Sequence, residues 1–135
     1  MNTKQGGIML NKMGRYLYLY LAFGLLLALF QSAPVTAGDL AISGLDIVAL
    51  SGDKLQIQLQ LNAAAPTPKV FKTDNPARIA LDFSAVKNGL AKKMFPINQG
   101  AITSIYVAEA ANRVRVVVNL LESTPYETQV QGNKV

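Results

Sequence analysis

The chain has no cysteine and no histidine among its 135 residues. Without cysteine there can be no disulfide, no thiolate metal site and no sulfur nucleophile. Without histidine the commonest general base and the commonest metal ligand are both missing. These residues therefore cannot hold a zinc hydrolase centre built on His and carboxylate ligands, nor a Ser-His-Asp hydrolase. Apart from Gly6-Gly7 the glycines stand singly, so no glycine-rich loop is available to cradle a phosphate. Acidic residues are absent from the start of the chain: none precedes Asp39, whereas Lys4, Lys12 and Arg15 fall in the first fifteen positions.

Half of the residues are apolar, enough for a modest core in one domain. The formal net charge is +5, but from Gly38 onward ten basic side chains face eight acidic ones, a net of +2. That balance is an ordinary solvated surface and argues against nucleic acid as a partner.

The segment Tyr16 to Phe30 is an uncharged, largely aliphatic run of fifteen. The cations before it and Val35-Thr36-Ala37 after it complete the pattern of a secretory signal peptide over residues 1–37, cut between Ala37 and Gly38. A retained membrane anchor is the alternative, although spanning takes roughly 20 apolar residues. Either way the remainder, residues 38–135, is expected to be exported.

Beyond Asp39 a period of two dominates, as expected of strands. "LAISGLDIVAL" reads as a first strand with Gly44 marking a bulge. In "KLQIQLQLN", Leu55, Ile57, Leu59 and Leu61 face a core while Gln56, Gln58 and Gln60 face water. "VFKT" is a short strand, and Asp74-Asn75-Pro76 a turn. In "ARIALDF", Ala77, Ile79, Leu81 and Phe83 are expected inside, with Arg78, Ala80 and Asp82 outside. Residues 84–100 read as irregular. "ITSIYVAEA" is a strand, Ala111-Asn112 a tight turn, and "RVRVVVNLL" a strand with Val114, Val116, Val118 and Leu120 on one face and Arg113, Arg115 and Asn119 on the other. "YETQVQ" is expected to be the last complete strand, with Gly132-Asn133 as a hairpin turn. About seven short strands with turn signals predict an all-β fold, a small β-sandwich of two sheets. A hairpin that stops two residues into its return leaves a sheet edge open. The expectation is therefore an N-terminal piece of a longer chain, its closing strand beyond Val135.

Three stretches carry a family likeness: "NPARIALDFSAVKNGL", "INQGAITSIYVAEAANRVRVVVNL" and "PYETQVQGNKV". They resemble the AMIN domain at the N-terminus of type IV pilus secretins, the PilQ family, over roughly residues 38 to 135. The resemblance implies a compact β-sandwich that is not itself an enzyme and needs no cofactor. It implies a periplasmic setting, peptidoglycan as ligand, other secretin subunits as partners through regions outside this chain, and pilus-alignment or pilotin proteins nearby. AMIN domains also target N-acetylmuramoyl-L-alanine amidases to the cell wall, so an amidase-targeting domain is one alternative reading. A protein–protein assembly module that never touches glycan is another.

The carboxylates Asp82, Glu109, Glu122 and Glu127 show no apolar pocket signature that would keep one protonated for glycosidase chemistry. The candidate binding residues are Arg78 and Asp82 on one strand, and Arg113, Arg115 and Asn119 on another. If the two strands pair, these side chains form a shallow surface of guanidinium, amide and carboxylate groups. Arg can hold the carboxylates of peptidoglycan stems bidentately. The simpler reading is a solvated face with Arg78 and Asp82 paired locally. Tyr106, sharing a face with Ser104 and Ala108, could add a stacking surface for sugar or be a half-buried strand aromatic. The row Gln56, Gln58, Gln60 and the pair Lys92-Lys93 read as solvated surface.

Overall fold

A computed structural model describes residues 38–135. The expected signal peptide, including Ala37 at its cleavage point, lies outside the described residues. Alternation of apolar and polar residues gives eight strands: β1 (Ala41–Ala49), β2 (Leu55–Leu61), β3 (Lys69–Asp74), β4 (Ala77–Ser84), β5 (Lys87–Asn88), β6 (Met94–Gln99), β7 (Ile102–Ala110) and β8 (Arg113–Leu120). They form a three-stranded sheet in the order β2-β1-β5 and a five-stranded sheet in the order β3-β4-β8-β7-β6. All pairs are antiparallel except β1 with β5. The architecture is the two-sheet, all-β sandwich that the alternation predicts.

The core lies between the sheets. Ile42, Leu59 and Leu61 enter from the smaller sheet, and Ile79, Phe83, Ile105, Val107, Val114, Val116 and Val118 from the larger. Side chains of this size each contribute about 1.5–3 kcal/mol when fully buried. Val114, Val116 and Val118 recur every second residue on β8, the central strand, so its inner face is almost wholly aliphatic. The β1 ladder shifts register between Ile42 and Gly44, where the sequence places a bulge. There the Ser43 hydroxyl donates to the Gln60 carbonyl at 3.2 Å. β7 and β8 turn tightly at Ala111-Asn112, as the sequence indicates, since Ala110 and Arg113 are direct partners.

Three expectations need correction. Residues 84–100 are not irregular throughout: they supply β5 and β6. β6 contains Pro96, which a strand tolerates here because β6 is a sheet edge, where a missing N–H costs no ladder bond. Residues 126–131 alternate like a strand but do not form one; only Gln131 joins a bridge, to Lys134 across Gly132-Asn133. From there the chain lies along β2. The Leu59 N–H donates to the Val135 carbonyl at 2.8 Å, the Val135 N–H returns to the Leu59 carbonyl at 3.0 Å, and the Leu61 N–H reaches the Asn133 carbonyl at 2.8 Å. The third correction is Asp82, expected to be solvated but in fact buried.

Candidate binding face

β4 and β8 pair directly, with Arg78 opposite Asn119, Asp82 opposite Arg115, and Ser84 opposite Arg113. All five candidate residues consequently project from the outer face of the five-stranded sheet. The hairpin that brings β3 beside β4 adds Lys69 opposite Asp82, Phe71 opposite Ala80 and Thr73 opposite Arg78. From the other side β7 brings Ser104, Tyr106 and Ala108 against Asn119, Val117 and Arg115.

Asp82 is the electrostatic centre of this face, its side chain only 8 % exposed. Arg115 grips it with both arms of its fork: Nε donates to Oδ1 at 2.5 Å and Nη2 to Oδ2 at 2.7 Å. Arg113 stands 3.7 Å from Oδ2. The hydrogen bonds from Arg115 hold the Asp82 carboxyl below the usual carboxylate range; burial opposes them, and the charges of Arg115, Arg113 and Lys69 assist. The same bonds push the Arg115 guanidinium further up. The guanidinium carbon of Arg115 also lies 5.9 Å from the Phe71 ring centroid, within cation–π range.

The local Arg78–Asp82 pair expected from the sequence is therefore not formed. Residues four apart are neighbours on a helix, but on a strand they stand roughly 13 Å apart. Asp82 turns instead to its cross-strand partner. Among the described residues Arg78 enters no ion pair. It borders a shallow depression of about 300 Å³ whose walls include Phe71, Pro76, Ala80 and Val117. Asn119 is partly committed, donating from Nδ2 to the Ser104 hydroxyl at 3.0 Å.

A family model for the AMIN domain matches residues 44–135. The chain belongs to the AMIN domain family. Over 115 residues this AMIN domain is 37 % identical to the fimbrial assembly protein PilQ of Pseudomonas aeruginosa, a match covering 85 % of this chain and 16 % of that protein. Over 108 residues it is 31 % identical to the type IV pilus biogenesis and competence protein PilQ of Neisseria gonorrhoeae, covering 80 % of this chain and 14 % of the relative. The PilQ of Neisseria meningitidis serogroup A matches to the same extent. At 14–16 % coverage, the chain spans about a sixth of the length of these curated relatives or slightly less. No solved structure matches it.

Sequence reasoning found the polar half of this AMIN face and missed the apolar half. Phe71 is 50 % exposed, Met94 55 % and Tyr106 39 %. Of these, only Tyr106 stands out from the sequence alone. The signal for Phe71 lies in the turn: with Asp74 opposite Ala77, the hairpin fixes Phe71 beside Ala80 on the Arg78 face. Met94 carries no comparable signal, because its place depends on the unread strand β6.

Proposed function

We propose that this AMIN domain is a non-enzymatic periplasmic module that binds peptidoglycan and so positions an outer-membrane secretin used in type IV pilus biogenesis and secretion. The observation that carries the reading is the cationic outer face of the five-stranded sheet. There Lys69, Arg113 and Arg115 stand around the carboxylate of Asp82, and Arg78, further along the same face, remains unpaired among the described residues. Peptide stems of the wall present carboxylates and amides, and an unpaired guanidinium fork can take a carboxylate with two parallel hydrogen bonds. The lack of histidine and cysteine supports a binding rather than a catalytic role. The names of the PilQ relatives, a fimbrial assembly protein and a type IV pilus biogenesis and competence protein, favour a pilus-related host over an amidase. Other secretin subunits, and pilus-alignment or pilotin proteins, are the further partners of such a host.

Co-sedimentation of the purified protein with peptidoglycan sacculi tests this. The parent is expected to pellet, and an Arg78→Ala/Arg113→Ala variant, shown to be folded by circular dichroism, to stay in the supernatant. Pelleting of both would keep wall binding and remove it from this face. If neither pelleted, wall recognition would fall, and the second reading, a protein–protein assembly module, would take its place.

A further inference from the structure

Register arranges the outer side chains of the five-stranded sheet in rows that run across the strands. Phe71, Ala80, Val117, Tyr106 and Met94 are successive cross-strand partners from β3 through β4, β8 and β7 to β6. Four interstrand steps make this apolar strip about 19 Å long. Its width is a single side chain, because the next outward residue on each strand is about 7 Å further along. The rows that flank it are polar over β3, β4 and β8. On one side lie Thr73, Arg78, Asn119 and Ser104, ending in Pro96 on β6, and on the other Lys69 and the Asp82–Arg115 pair, ending in Ala108 on β7.

A strip of this width is a poor seat for a folded protein, whose specific interfaces bury about 800 Å² per partner around a broad apolar core. It suits a chain of sugar rings. Each pyranose has a flat C–H face that packs on an aromatic ring, and a rim of hydroxyls that pairs with side-chain hydroxyls and amides such as those of Thr73, Asn119 and Ser104. The Arg115 guanidinium, itself held by Asp82, stands 5.9 Å from the centroid of the Phe71 ring, which is 50 % exposed and so open to a ligand.

Resting on the wall-binding reading, we infer that a glycan strand crosses the β-strands along this row, stacked on Phe71 and Tyr106, and that Arg78 receives a carboxylate of a peptide stem hanging from it. Arg78 is the cation for this role because Arg113 and Arg115 are already engaged with Asp82. Phe71 and Tyr106 stand three interstrand steps apart, about 14 Å, so one sugar cannot reach both rings. Strands of several disaccharides bind more tightly than a single disaccharide.

The test is titration calorimetry of the purified protein with uncross-linked glycan strands in two forms, one bearing peptide stems and the other stripped of them. Arg78→Gln is expected to weaken the stem-bearing strands about tenfold and leave the stripped strands unchanged. Phe71→Leu, which keeps an apolar side chain but removes the ring, is expected to weaken both forms about fivefold or more. Equal loss for both forms in Arg78→Gln, or no loss for either form in Phe71→Leu, would overturn the inference. If the parent still pelleted with sacculi in that case, wall binding would survive and only this seat would fall. A parent that neither pelleted nor bound strands would end both readings together.

Discussion

Replacing Asp82 with asparagine keeps the shape of the side chain and removes the charge at the centre of the face. Oδ1 of the new amide can still accept from Arg115 Nε, but its NH2 group would meet the donor Nη2, now 2.7 Å from the carboxylate. One charge-assisted hydrogen bond is lost, a contribution of about 1.5–3 kcal/mol where both partners are buried. Here Asp82 is buried but the Arg115 side chain is 42 % exposed and can turn to water, so solvent screening reduces the cost. The expected destabilisation at pH 7 is therefore about 1–2 kcal/mol. Because the folded-state pKa of Asp82 is depressed, this contribution is fully present above the unfolded carboxylate value near 3.9 and is lost as pH falls through the folded value. Asp39 and Asp74 are also depressed, by Lys87 and by Ser123 respectively, but both proteins share them and they cancel in the difference. Urea unfolding of parent and Asp82→Asn, followed by far-ultraviolet circular dichroism at pH 7 and pH 3, measures that difference if the slopes agree. A gap at pH 7 below about 0.5 kcal/mol, or one that does not narrow at pH 3, would refute the account of Asp82 as a buried, doubly bonded carboxylate.

Other perturbations separate the parts of the structure. Arg78→Ala should change stability by no more than about 0.5 kcal/mol, because no ion pair is lost, whereas Arg115→Ala, which strands Asp82, should lower the unfolding midpoint measurably further; urea titration of the two side by side checks the order. Gly100→Ala places a Cβ 2.8 Å from Leu55 Cδ1 at a φ of +57°, so a loss of about 1–2 kcal/mol is expected in thermal melts. Phe83→Ala removes a side chain with no solvent exposure and should cost about 3–5 kcal/mol, visible as a large drop in melting temperature.

Much of the sandwich was legible because strands with one wet face announce themselves. Leu59 and Leu61 against Gln60 on β2, and Val114, Val116 and Val118 against Arg113 and Arg115 on β8, carry their orientation in the order of residue types. What stayed hidden depended on neighbours. β6 was obscured by Pro96, harmless at an edge, and residues 126–131 look like a strand but have no ladder to complete. For the candidate face, alternation alone placed Arg78, Asp82, Arg113, Arg115 and Asn119 on the outer sides of their strands. It could not tell which of them would pair, because that is set by register between β4 and β8. Asp82 thus went to Arg115 and not to Arg78, leaving as the open cation the residue that looked paired.

The last residues also bear on how the domain would carry force. After β8 the chain leaves the larger sheet, and its final backbone bonds are made to Leu59 and Leu61 of the smaller one. A pull on residues 133–135 therefore reaches β2 first, through their backbone hydrogen bonds with Leu59 and Leu61. The cationic face belongs to the other sheet, across the core. A pull on residues 133–135 would therefore strain the clasp on β2 before the segment that leads back to β8 was drawn taut.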